Sequence, residues 1–172
     1  VITSIDLDHQ GWLGESRGEI SREKAGILRG GRPAVIADSN PPSELLECVD
    51  SVAAKPALYL GRDFSVASVD GQWQAELQTL DGGSRTVSAM TNGALLPENI
   101  GAAVQAAVLL GIEFSDGCLA AALAKVAPVG RREVRRVAGR DYVLDVAHNP
   151  ASAYKLLEFL NTTPCNGKRI CV

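Results

Sequence analysis

Residues 33–37, Pro-Ala-Val-Ile-Ala, carry no polar side chain, and this run constrains the fold more than any other segment. A strand with one face in water alternates apolar and polar residues. An unbroken apolar strand has both faces covered, as in a parallel sheet lying between layers. Residues 1–5 and 57–60 read as two further strands, and the helix-patterned stretches between them complete a β-α-β-α-β rhythm. The first helix is expected to start at Ser16, with Glu19 at the capping-box spacing, to carry Ile20, Ala25, Ile27 and Leu28, and to end near Gly30-Gly31. The second spans residues 43–53, with Leu45, Leu46 and Val49 on one face.

The texture then changes. Residues 64–69, 73–77 and 85–89 alternate apolar with polar side chains around the turn signals Asp70-Gly71 and Asp81-Gly82-Gly83, the pattern of antiparallel strands joined by hairpins. Two alanine-rich helices follow over residues 97–110 and 115–126, whose small faces permit close helix packing. Residues 102–112, interrupted by Gln105, form the longest apolar segment and fit a buried helix. Pro128-Val129-Gly130-Arg131 breaks the helical pattern. Beyond it come strands over residues 133–137 and 142–146 and a helix over 150–160, where Pro150 suits a first helical position. Three parts are expected: residues 1–128, a linker at 129–132, and residues 133–172. Residues 1–5 open on a strand and 168–172 end within what should be another, so both ends look cut.

Composition removes several function classes. A formal net charge of −3 gives no basic surface for nucleic acid, and the arginines of residues 131–140 fit a solvated or phosphate-facing strand better. No apolar run approaches the ~18–20 residues of a membrane span, so a soluble protein is expected. Cys48, Cys118, Cys165 and Cys171 form no C-x-x-C pair and match no zinc spacing; reduced, mostly structural thiols in a cytoplasmic protein are expected.

Three motifs carry chemistry. The first runs Asp8-His9-Gln10-Gly11-Trp12-Leu13-Gly14 and continues into Arg22-Glu23-Lys24-Ala25-Gly26-Ile27. His9 follows a strand's C-terminal end, where open α/β sheets bind ligands. By themselves, His9 could be a packing or capping residue and Lys24 a solvated helix lysine. The second is Leu96-Pro97-Glu98-Asn99-Ile100-Gly101-Ala102-Ala103, in which Asn99 could equally cap a helix or meet a ligand. The third joins Gly130-Arg131 to Leu144-Asp145-Val146-Ala147-His148-Asn149-Pro150 at a strand-to-helix junction.

Together, in this order and at these intervals, the motifs resemble the folylpolyglutamate synthase/dihydrofolate synthase family, the folate ligases of the Mur ligase superfamily. The resemblance spans nearly the whole chain. It implies an α/β fold: the C-terminal part of a Mur-ligase-like central ATP-binding domain, with a parallel sheet, helices and a small antiparallel hairpin region, followed by the start of a Rossmann-like glutamate-ligase domain. It implies that His9 ligates Mg2+ and that Lys24, carbamylated by carbon dioxide, ligates it too. A carbamate turns a cationic amine into an anionic oxygen donor suited to a hard cation. It further implies that Asn99 contacts the adenine side of ATP, that Asp145 holds the ribose region, and that Arg131 reaches the phosphates across a domain cleft. His148 and Asn149 would line that cleft, His148 being either a catalytic group or a helix-capping one.

The implied reaction is ATP-dependent joining of L-glutamate to dihydropteroate or a folate through an acyl phosphate, in a cytoplasmic monomer. The family's phosphate loop, G-x-x-x-x-G-K-[ST], occurs nowhere in these residues and is expected upstream. The family's P-G-R-aromatic linker is here Val129-Gly130-Arg131-Arg132, without its proline and its aromatic. Two other readings remain open: a Mur-type ligase adding an amino acid to a cell-wall precursor, and a non-catalytic nucleotide-binding fragment. The W-L-G and R-E-K-A-G-I segments favour the folate branch.

Overall fold

The parallel sheet consists of β1 (Ile2–Thr3), β2 (Ala34–Ala37) and β3 (Ala57–Tyr59), in spatial order β1-β2-β3 with both pairings parallel. The computed structural model describes residues 1–8, 10–69, 71–90 and 95–172, and the chain divides into two compact units, Val1–Val126 and Ala127–Val172. Every residue of β2 is buried because alternate side chains enter different cores. Ala34 and Ile36 pack with Ile20, Leu28, Leu45 and Val49, on the helices α2 (Arg17–Ala25) and α3 (Ser43–Val52) and the turn after α2. Val35 and Ala37 point the other way, into a larger core with Trp73, Leu77, Val87 and Ile100. The apolar run is thus satisfied on both faces.

That larger core lies between the parallel sheet, an antiparallel sheet and α4. The antiparallel sheet comprises β4 (Ser65–Val69), β5 (Gln72–Gln78) and β6 (Ser84–Met90). β5 alternates in burial along its length, Trp73, Ala75 and Leu77 facing inward. Trp73 is fully buried, and its indole N–H donates to the Pro97 carbonyl at 3.1 Å, tying the sheet to the first turn of α4 (Pro97–Leu109). Gln105, fully buried on α4, resolves the one polar interruption of the apolar segment. Its amide accepts from the Gln78 N–H at 3.0 Å and donates to the Gln78 carbonyl at 2.8 Å, as a further strand would.

The close approaches of α4 are to strands, and those of α5 (Asp116–Lys125) are to β6, so the small residues serve helix-on-sheet packing. Gly101 shows this best, since a Cβ there would lie 2.5 Å from Cγ2 of Val66 on β4. Valine is stiff about χ1 and cannot swing away freely. Replacing Gly101 by alanine is therefore expected to cost about 1–3 kcal/mol by overpacking, despite alanine's better helix propensity. Denaturant unfolding of the variant checks this; a more stable protein would show that the helix simply shifts outward.

The second unit holds the hairpin β7 (Glu133–Val137) and β8 (Arg140–Leu144), then α6 (Pro150–Thr162). Asn149 caps α6, with reciprocal bonds between its side chain and backbone and those of Ser152.

Several boundaries differ from expectation. α2 stops at Ala25, where Gly26 starts a run of tighter three-residue turns that leaves Ile27 exposed while Leu28 stays buried. Glu19 reaches back to the Glu15 N–H at 2.7 Å and not to that of Ser16. Residues 10–13, between the first strand and the helix expected to start at Ser16, form the short helix α1 (Gln10–Leu13). β8 begins two residues early because Ala138 and Gly139, both with left-handed φ, close a two-residue turn that pairs Val137 directly with Arg140. Residues 168–172 are not a strand; no described neighbour in that unit offers them a ladder. The cysteines are free, but Cys118, Cys165 and Cys171 are exposed, against the expectation of mostly structural thiols. Among the described residues no helix is long and apolar enough to cross a membrane.

Candidate functional site

The first motif is built around the junction of α1 and α2. Gly14 has φ +121°, and a Cβ there would meet that of Glu19 at 2.4 Å, so the glycine of W-L-G is required by both conformation and space. Ser16 then caps α2, accepting from the Glu19 N–H at 3.2 Å. Lys24 lies exposed in the last turn of α2, and Trp12 on α1 is 92% exposed. His9 lies outside the described residues, so the convergence of positions 9 and 24 on one cation does too. Among the described residues no group of three or more His, Cys, Asp or Glu is gathered as a metal cage. Such a cage is not what a magnesium site needs. Mg2+ keeps several waters and takes one or two protein oxygens alongside substrate phosphates, so a carbamate formed on the exposed Lys24 would suit it.

One feature of this region has no signature in a sequence motif. Asp38, at the C-terminal end of β2, is buried, and its Oδ2 accepts from the Ile5 N–H at 2.7 Å and from the Arg17 guanidinium at 3.1 Å. Its Oδ1 accepts from the Asn40 N–H at 2.8 Å. Arg17 in turn donates to the carbonyls of Ile5 at 2.8 Å and Asn40 at 2.9 Å. Both polar groups of the Ile5 backbone are thereby held, fixing the end of the strand that leads into Asp6, Asp8 and His9. A buried-strand pattern followed at once by an acidic residue, with an arginine at a helix start, was the signal available.

Asn99 is the third residue of α4 and is exposed. The N-cap of α4 is Leu96, and among the described residues no side chain caps this helix, so Asn99, inside the first turn, is not its N-cap. Lys24 and Asn99 stand on helices that pack against opposite faces of the parallel sheet, and the structure does not bring them into contact.

The second unit does bring its two motif segments together. The Gly130 carbonyl accepts from the Val146 N–H at 2.8 Å, and Asp145 accepts from the Arg132 N–H at 2.8 Å and the Ala147 N–H at 2.7 Å. Each Asp145 oxygen keeps a second acceptor position, so a ribose hydroxyl can still be bound. Arg131 itself is exposed. Arg132, standing where the family has an aromatic, places its guanidinium 5.7 Å from the centroid of the Phe159 ring on α6, a cation–π contact between the linker and that helix. The exposed His148 ring has Nδ1 2.8 Å from the Val146 carbonyl, and its backbone N–H donates to Ser152 Oγ at 3.1 Å; the residue that caps α6 is Asn149.

Glu133 anchors the other side of this loop, accepting from the Gly130 N–H at 2.9 Å and pairing with Arg135. The Gly130 N–H first, and Arg135 second, hold its carboxyl below the ordinary value of 4.5. A depressed folded-state value means the anchor is fully present above the ordinary carboxylate range and is released only as pH falls through the lowered value.

No family model matches the chain. Among curated proteins, it is 30% identical to the dihydrofolate synthase/folylpolyglutamate synthase of Escherichia coli, over all of this chain and 39% of that protein. It is 32% identical to the protein of the same name from Haemophilus influenzae, over all of this chain and 42% of that one. The chain therefore spans about two fifths of the length of these relatives. Its fold superposes on E. coli FolC in complex with DHPP and ADP with a TM-score of 0.83 at 29% identity, covering 96% of this chain and 38% of that one. This chain is homologous to the dihydrofolate synthase/folylpolyglutamate synthases. The bifunctional enzyme from Yersinia pestis, complexed with AMPPNP and Mn, gives a TM-score of 0.75 at 32% identity over 93% of this chain and 37% of that one. The homology therefore runs through both units and all three motifs, and the α/β architecture is that of the folate ligases.

Proposed function

We propose that this chain is part of a cytoplasmic folate ligase that joins L-glutamate to dihydropteroate, to a folylpolyglutamate, or to both, at the expense of ATP. The observation that carries the proposal is homology over the whole length of this chain to enzymes of that name, together with a fold shared with one bound to DHPP and ADP. In the proposed reaction the substrate carboxylate attacks the γ-phosphorus of ATP, giving an acyl phosphate and ADP. The glutamate amine then attacks the acyl carbon, and the tetrahedral adduct expels phosphate to leave an amide.

Residues 1–128 belong, on this reading, to the central ATP-binding domain and residues 133–172 to the start of the glutamate-ligase domain, with 129–132 linking them. Asn99 contacts the adenine, Asp145 the ribose and Arg131 the phosphates, the planar guanidinium fork matching phosphate oxygens. His9 and the Lys24 carbamate hold Mg2+, which supplies charge neutralisation for the transferring phosphoryl group. His148 lines the cleft beside Asn149 as the remaining candidate catalytic group, its ring engaged with the Val146 carbonyl.

The whole protein containing this chain is expected to release ADP only when ATP, glutamate and a pteroate or folate are all supplied. ADP release driven by a UDP-linked cell-wall precursor instead would transfer the protein to the Mur branch, and no coupled release with either would leave nucleotide binding without catalysis. The 172 residues by themselves, which contain no phosphate-loop motif, are expected to be inert; turnover by them alone would contradict the assignment of catalysis to residues outside the chain. Lys24→Ala in the whole protein is expected to lower kcat at least about tenfold, the lower end of what removing even an outer partner of a metal costs. Wild-type protein incubated with 13C-labelled bicarbonate should show a carbamate carbon resonance that this variant lacks.

A further inference from the structure

We infer that Glu133 is a positioning residue whose carboxylate, together with that of Asp145, locks the turn carrying Arg131 and so fixes the direction in which that guanidinium leaves the backbone. The inference rests on the nucleotide reading of Arg131 and adds the residue that makes its placement reproducible.

Arg131 is flanked by two left-handed residues, Gly130 at φ +65° and Arg132 at φ +48°. Glycine adopts that conformation freely, but for arginine it costs about 1–2 kcal/mol, so the turn needs holding. It is held from both sides. Ahead of Arg131, Glu133 Oε2 accepts from the Gly130 N–H at 2.9 Å, and the Gly130 carbonyl accepts from Val146 on the strand's continuation at 2.8 Å. Behind it, Asp145 Oδ2 accepts from the Arg132 N–H at 2.8 Å. The Arg131 N–H itself donates to the Pro128 carbonyl at 3.2 Å. The peptide groups on either side of Arg131 are thus anchored to fixed acceptors and donors, which leaves only its own side-chain torsions free.

Glu133 suits this task through a division of labour. Its Oε1 pairs with the Arg135 guanidinium, which orients the carboxylate and leaves Oε2 for Gly130. Its carboxyl is an anion, the stronger acceptor, at neutral pH, and the Gly130 N–H and Arg135 extend that state to lower pH. Space is also limited on the other side of the turn, where a Cβ on Gly130 would meet Val146 Cγ1 at 2.9 Å.

The test uses the whole ligase and steady-state kinetics in ATP. Glu133→Ala is expected to raise the KM for ATP about fivefold with kcat within about twofold, because a misaimed cation weakens binding without touching the reacting atoms. Glu133→Gln keeps an oxygen acceptor for Gly130 and should restore the KM to within about twofold of wild type. Arg131→Ala sets the ceiling, and the double variant should bind ATP no more weakly than Arg131→Ala alone, since Glu133 acts through that side chain. A Glu133→Ala protein with a lower melting temperature but an unchanged KM, a Gln variant no better than Ala, or effects that multiply in the double variant would each overturn the inference. If Arg131→Ala itself leaves the KM unchanged, the nucleotide reading falls and takes this inference with it. A raised KM for Arg131→Ala beside a normal one for Glu133→Ala removes the positioning role alone.

Discussion

Trp73→Ala is expected to be the most destabilising single substitution in the first unit, costing about 4 kcal/mol. Trp73 is fully buried at the centre of the larger core, so truncation leaves a cavity bounded by two sheets and a helix that cannot all close on it. It also removes the indole N–H that holds the Pro97 carbonyl. For a chain of this size the melting temperature should fall by roughly 10 °C. Trp73→Phe separates the two contributions, because it keeps most of the ring and loses the donor. Its cost should be nearer 1–2 kcal/mol, and its functional effect should appear at Asn99, two residues beyond the carbonyl that is set loose. Differential scanning calorimetry reads the first effect and ATP titration of the whole protein the second. A Trp73→Ala protein within about 1 kcal/mol of wild type would mean the core can collapse, contrary to its layered construction.

Asp38→Ala should come next, at about 3 kcal/mol. The carboxylate is buried and accepts from two backbone N–H groups and a guanidinium; its loss strands the Ile5 donor and leaves Arg17 with two carbonyls but no counter-charge. The Arg17 side chain is 36% exposed, which lets water repair part of the damage and keeps the figure below that of a fully buried pair. Asp38→Asn retains one carbonyl oxygen and should lose about half as much. Arg17→Ala and the double variant complete a cycle in which the two effects must be less than additive, since both act on the same backbone. Additive losses in urea unfolding would show that Asp38 and Arg17 stabilise the strand end separately.

The elements dictated by side-chain pattern were legible in advance. The unbroken apolar run of β2, the alternation of β5 and the N-cap at Ser16 each carry their structure in the identity of their own residues. What escaped was decided by partners distant in sequence or by turn geometry. The early start of β8 follows from two left-handed residues at Ala138 and Gly139, a conformation alanine rarely takes and no pattern announces. The strand expected at residues 168–172 depended on a neighbour and not on its own composition. The role of Asp38 depends on an arginine twenty-one positions earlier and a strand end thirty-three positions earlier. In the same way the contact that Arg132 makes in place of the family's aromatic depends on Phe159, on a different element.

The contrast between the two tryptophans gives the protein its own optical reporters. Trp73, sealed in the core, will emit toward the blue and resist iodide, whereas Trp12, 92% exposed three positions after His9, will emit toward the red and be quenched readily. A shift confined to the red, quencher-sensitive component on adding a divalent ion with nucleotide would report events beside α1 while the blue component certifies that the core is intact.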